Sequence, residues 1–150
     1  MFRQFLVGAT AIGCNIAIHA LVMVAVIRVT RRADELATAY QTLRLIAVMI
    51  AAVTVLMIAH LAEIMVWALT YAILGVTPEG SDLVYFAFVN YTTLGYGDVT
   101  PVKRWNLLGP MTAMNGVLLF GWSTAVIFEV LRMTLLAGDD GVQPKRGWPK

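Results

Sequence analysis

The sequence predicts an all-α membrane protein: three membrane-crossing helices, with a short re-entrant helix and loop between the second and the third. Three observations lead there. The first is composition: of 150 residues, 59% are hydrophobic and 13% charged, and the mean hydropathy is +0.76. An ordinary soluble domain carries about 45–50% apolar and about 25% charged residues, so a soluble globular domain is excluded. The second is three apolar stretches, each long enough for the roughly 20 residues that span a bilayer. The third is a shorter apolar run, Leu83 to Val89, followed at once by a Thr/Gly-rich segment.

The first stretch, Phe5 to Val29, has no charge before Arg28. Its apolar core exceeds that of a secretory signal and lacks a convincing small-x-small cleavage site. It reads as a retained helix, with its domain boundary at 1–32. Residues 33–44 are mixed and polar, and are open to two readings, a short interfacial helix or a linker. The outer helix, 45–74, is about 45 Å long as a helix, so it must tilt or protrude. Gly75 and Pro78 end it.

Ser81 and Asp82 resemble a helix start, and the apolar run that follows is too short to cross. Thr92-Thr93-Leu94-Gly95-Tyr96-Gly97-Asp98 and then Pro101 cannot continue a regular helix. Irregular backbone at membrane depth is tolerated only where protein buries it or where it lines a watery path. The segment 81–98 is therefore expected to enter and leave on one side. The last helix, 106–137, takes Asn106 as a possible cap and Pro110 in its first turn. The polar tail, 138–150, is expected to be disordered.

Charge sets the expected orientation. Arg28, Arg31, Arg32, Arg44, Arg132, Lys145, Arg146 and Lys150 fall on one side of a three-helix topology, against Arg3, Lys103 and Arg104 on the other. The excess of basic residues marks the cytoplasm. The N-terminus is then outside and the C-terminus inside, in a multi-pass plasma-membrane protein. The net charge of +2 is too small and scattered for a nucleic-acid partner. Cys14 is the only cysteine, so no internal disulfide forms.

The Thr92 to Asp98 segment resembles the selectivity filter of potassium channels, whose signature is T-x-G-Y-G-D and whose carbonyl oxygens replace the hydration shell of the ion. A dehydrated cation needs oxygen ligands, so successive carbonyls must face one axis. Gly95 and Gly97 can take positive φ without steric cost and permit this. The resemblance implies an ion-binding segment over Thr93, Leu94, Gly95, Tyr96 and Gly97, with the Thr93 hydroxyl at its inner end. It also implies support from Thr92, Tyr85 and Asp98. It further implies a homotetramer, since one chain supplies one loop and a closed carbonyl ring in this family needs four. Potassium is the permeant ion, lipid the other partner, and no cofactor or enzymatic chemistry is expected.

In the family it resembles, a glycine hinge often follows the filter. Gly116 lies 19 residues after Gly97, and close helix packing is the other reading of it. Gly116, Val117, Phe120, Thr124 and Phe128 are expected to line the pore, with Phe128 as an apolar gate. The sequence departs from the family at two places. Tyr85 and Phe86 stand where many members carry two tryptophans, so the Tyr85 hydroxyl is expected to reach Asp98. Val89 stands where some members place a glutamate behind the filter.

His60 and Glu63 lie three apart at membrane depth, where ionisable residues are functional candidates. A structural cluster, a pH sensor and a metal site are all open, with His19 or Asn115 as partners; no metal beyond potassium is expected. Glu129 and Arg132 form either a surface ion pair or a charged ring at the inner mouth. Trp67, Trp105 and Trp122 are read as interface anchors or packing residues. A non-conducting accessory subunit, and a pH or metal sensor built on His60 and Glu63, are the alternatives to a conducting channel.

Overall fold

The computed structural model describes residues 1–34 and 41–140. Four α-helices follow in order: α1 (Phe2–Asp34), α2 (Gln41–Leu74), the short α3 (Leu83–Tyr91) and α4 (Leu108–Asp140), with a 3₁₀ turn at Lys103–Trp105 before the last. Three spans, Phe2–Arg32, Thr42–Leu74 and Lys103–Leu136, are long and apolar enough to cross a membrane.

The helices overrun the apolar stretches that predict them. The expected linker 33–44 shrinks, because α1 runs to Asp34 and α2 begins at Gln41. Tertiary contact supports this extension: Arg44 donates from Nη2 to the Thr134 carbonyl of α4 at 3.4 Å. The choice between linker and interfacial helix for 35–40 lies outside the described residues. Likewise α4 continues through 138–140, which the expected tail had included, and 141–150 lie outside the described residues. Asn106 is not the residue that serves the start of α4. That helix opens at Leu108, and the Leu107 N–H goes to Gln4 Oε1 of α1 at 2.9 Å.

α1 packs on α2 and α4 of its own chain. Its buried stripe is Gln4, Gly8, Ala11, Asn15, His19, Met23, Val26 and Thr30. The spacing of three or four keeps one face inward. The stripe is small or polar for much of its length. Between lipid-embedded helices there is no hydrophobic drive to associate, so close approach and hydrogen bonds hold them.

The core has three levels. One apolar cluster gathers Trp67, Tyr71, Phe86, Tyr91, Trp105 and Leu108 around the base of α3. A second joins Met23, Val26, Ala52, Val126 and Val130. Between them, near the middle of all three long helices, lies a polar layer made of Asn15, His19, His60, Glu63, Asn115 and Ser123. Trp67 is fully buried and donates to Asn115 Oδ1 at 2.9 Å. It therefore packs helices and is no interface anchor. Trp105 is buried too and donates to the Leu74 carbonyl at 3.1 Å.

α4 meets the end of α3 at Gly116. A Cβ built there would stand 2.0 Å from the Tyr91 carbonyl oxygen, a backbone atom that cannot swing aside. A Cβ at Gly121 would meet nothing of the described chain within 4 Å beyond the adjoining turns of its own helix. Gly116→Ala is expected to destabilise the protein by about 1–3 kcal/mol through overpacking. Gly121→Ala should leave stability unchanged or raise it by up to about 1 kcal/mol. Thermal unfolding of both variants in detergent checks the contrast.

Candidate functional site

The site starts at the cap of α3. The Asp82 carboxylate accepts from the Val84 and Tyr85 N–H groups, both at 3.0 Å, and so begins the helix one turn before its apolar face is buried. At the other end the Thr93 N–H reaches the Asn90 carbonyl at 3.0 Å and the Leu94 N–H reaches the Val89 carbonyl at 2.9 Å. These are the two bonds of a Schellman motif, whose C′ residue must be left-handed. Here that residue is Thr93, with φ of +61°. A β-branched side chain in this conformation costs about 1–2 kcal/mol, a penalty glycine would avoid. The sequence suggests positive φ at the glycines only; Thr93 carries no local signal for it.

The strained threonine starts an alternation. Gly95 and Gly97 follow with φ of +61° and +78°, while Leu94 and Tyr96 are not in the positive region. The Thr92 hydroxyl donates to the Phe88 carbonyl at 2.8 Å. Leu94 and Tyr96 are 54% and 69% exposed in the single chain. Two large apolar side chains thus stand on an irregular loop without cover from their own chain.

Beside this loop the Tyr85 hydroxyl donates to Asp98 Oδ2 at 2.7 Å, the contact expected where the family carries tryptophan. This bond holds the Asp98 carboxyl below the ordinary carboxylate range. The same bond, with some desolvation, pushes the Tyr85 phenol up to about 12. Val89 is buried behind the loop, and its carbonyl accepts from Leu94 and Gly95.

On α4, Val117, Phe120, Thr124 and Phe128 share an exposed face. Phe120 sits at its border, with its ring 4.7 Å from that of His60 and 5.4 Å from that of Tyr91. Gly116 departs from the expected pore-lining face. It is buried on the opposite side with Asn115, Leu119 and Ser123, because it seats the Tyr91 carbonyl. Glu129 and Arg132 form a bidentate pair at 2.8 and 2.9 Å on the surface of one chain.

The polar layer brings together residues that the sequence scatters. His19 Nδ1 lies 2.7 Å from Glu63 Oε1, and His60 Nδ1 lies 3.0 Å from Glu63 Oε2. The Tyr91 hydroxyl donates to the same Oε2 at 2.5 Å. Ser123 Oγ lies 2.9 Å from His60 Nε2 and 3.2 Å from His19 Nε2. His19 and Glu63 have no solvent-accessible surface. Asn115 does not join this group. It accepts from the Asn15 amide at 2.8 Å, and that amide also reaches the Glu63 carbonyl at 3.3 Å. Tyr91 and Ser123 are the members that sequence reasoning misses. Asn15 and His19 do carry a signal, as two polar residues spaced i, i+4 in an apolar run. His19, His60 and Glu63 offer donor types that bind divalent metals, all within 4.8 Å of one another.

Two spanning helices around a re-entrant helix and an irregular, alternating loop define a pore-loop membrane protein. The family model described as "Ion channel" matches residues 59–133, from the middle of α2 through the loop to the last turns of α4. The chain belongs to this ion-channel family, a two-helix type that includes potassium channels. No curated protein and no solved structure matches the chain significantly. α1, and with it His19, lies outside the matched range.

Tyr85→Phe tests the loop support. Asp98, depressed in the folded state, contributes stability in full above its ordinary value of 3.8 and loses it as pH falls through the lower folded value. Tyr85, raised, contributes in full below 10.0 and loses its contribution as pH rises through about 12. The variant should abolish both margins at once and shorten the lifetime of the conducting state at neutral pH, read from the decay of ion flux.

Proposed function

We propose that four copies of the chain surround one axis and conduct potassium selectively and passively across the plasma membrane. The observation that carries this reading is the loop backbone, with positive φ at Thr93, Gly95 and Gly97 alternating with Leu94 and Tyr96. Alternation of this kind lets successive carbonyls face one side, and their oxygens can replace the hydration shell of a cation. The ligands are the carbonyls of Thr93, Leu94, Gly95 and Tyr96 with the Thr93 hydroxyl, and Gly97 ends the row. Leu94 and Tyr96, uncovered in one chain, pack against neighbouring subunits and hold the row at fixed width.

A closed ring of identical loops calls for cyclic symmetry. The exposed face of α4 then lines the inner pore, with Thr124 toward the cavity and Phe128 as an apolar constriction that gates by dewetting. The C-terminal end of α3 carries partial negative charge, which favours a cation below the filter. The N-terminus lies outside and the C-terminus in the cytoplasm, by the distribution of basic residues. No bond is made or broken, and the chain acts as a conductor.

The test is flux into liposomes that contain only this protein. Potassium uptake should exceed sodium uptake by at least about tenfold, and barium should block it. Gly95→Ala, strained at φ +61°, and Tyr96→Ala should each reduce flux by about tenfold or more. Purified protein that folds yet carries no potassium, or carries sodium equally well, would overturn the reading.

A further inference from the structure

We propose that His19, His60, Glu63 and Ser123 form a proton-binding site at the middle of the membrane, and that its single proton controls conduction. The regulatory half rests on the conducting role above; the binding half does not.

The contacts of this site fix how many protons it must hold. Four contacts close a loop: His19 Nδ1 to Glu63 Oε1 at 2.7 Å, Glu63 Oε2 to His60 Nδ1 at 3.0 Å, His60 Nε2 to Ser123 Oγ at 2.9 Å, and Ser123 Oγ to His19 Nε2 at 3.2 Å. Each contact is a hydrogen bond only if one proton lies in it. Two neutral imidazoles and one hydroxyl supply three. The Tyr91 proton is already committed to Oε2. A fourth proton is therefore required, on either ring or on the carboxyl.

Charge leads to the same number. With Glu63 ionised and both rings neutral the site carries one negative charge, held at membrane depth, where a net charge is costly. The fourth proton makes the site neutral wherever it sits. Without it, two lone pairs face each other across one contact and the loop opens. Among the described residues no other charged group faces the site: α1 contributes His19, α2 contributes His60 and Glu63, and α3 contributes Tyr91. α4 contributes only the neutral Ser123, Phe120 and Trp122.

A divalent metal fits less well. Metal bonds of about 2.0–2.1 Å at tetrahedral angles separate ligand atoms by about 3.3 Å. The two imidazole–carboxylate contacts here are 2.7 and 3.0 Å, which is hydrogen-bond distance.

The route to the filter is short. Tyr91, the last residue of α3, hangs its hydroxyl on Glu63, while its carbonyl rests on Gly116. Two residues on stands the strained Thr93. Loss of the proton opens one contact of the loop that holds Glu63, so the group that anchors Tyr91 shifts, and with it the point where the loop leaves its helix.

The experiment measures potassium flux from about pH 5 to about pH 10, a range that extends beyond the interval of about pH 5–8 of an ordinary imidazole. In parallel, imidazole ¹⁵N resonances of the same protein in lipid report proton occupancy without any need for conduction. Wild-type flux should fall on the alkaline side with a limiting slope of about one proton, tenfold per pH unit. Glu63→Gln is the decisive variant. Its amide donates to one Nδ1 and its carbonyl accepts from the other, so the loop closes with both rings neutral and no fourth proton. Its flux should persist and lose the alkaline step. Ser123→Ala removes the acceptor for the fourth proton and should move the step to lower pH.

A flat wild-type profile together with unchanging imidazole resonances overturns the proposal, as does a Glu63→Gln variant that keeps the step. One divalent metal ion per chain in the purified protein, lost in His60→Ala, also overturns it. If no variant conducts but the resonances titrate one proton in the wild type and none in Glu63→Gln, the site stands and the channel reading falls.

Discussion

A carboxylate in the middle of a membrane-crossing helix must find partners within the protein, and Glu63 draws them from every other helix. His19 comes from α1, Tyr91 from α3, and Ser123 from α4 through the two imidazoles. Lipid tails are as apolar as leucine, so apolar contact alone does not choose how these helices dock. The polar layer does, because separating its helices would leave Glu63 and its imidazole partners without hydrogen bonds at membrane depth. Removal of one partner from a buried charged pair costs about 3–5 kcal/mol for that reason. The two apolar clusters on either side fill the space that this layer has already set.

The same layer fixes the end of the re-entrant helix. Tyr91 is held at its hydroxyl by Glu63 and at its carbonyl by the bare backbone of Gly116. With the last turn of α3 immobile, the chain can leave it through a Schellman motif that places a threonine in a left-handed conformation. A less rigid helix end would relax that strain by fraying. On the outer side the loop is tied again, by Tyr85 to Asp98 and by the Val102 N–H to the Val76 carbonyl at 2.8 Å. The loop is thus a strained segment clamped at both ends, and the side chains of Leu94 and Tyr96 remain uncovered in the single chain.

Helix existence was legible because length and apolarity suffice to predict a span, and the loop was legible because only a few residue types permit its backbone. His60 and Glu63 stood out because two ionisable groups one turn apart are rare in an apolar helix. The identity of their partners was not legible. Helical spacing groups His60 with Glu63 and Asn15 with His19, but no periodicity says that those two faces meet. Gly116 read as a hinge on the pore side because its position after Gly97 suggested one, whereas the packing of α4 turns it toward Tyr91.

The sequence by itself determined what is local: three spans, a re-entrant segment between the second and third, and an irregular loop that its glycines make possible. Each follows from chain hydropathy or from backbone sterics, which act within a few residues. Only the tertiary structure decided that α1 docks on its own chain, that His19 and Ser123 close a loop with His60 and Glu63, and that Thr93 bears the strain. Those outcomes depend on how four helices cross, and the crossing brings the buried polar groups of separate helices within hydrogen-bond reach of one another.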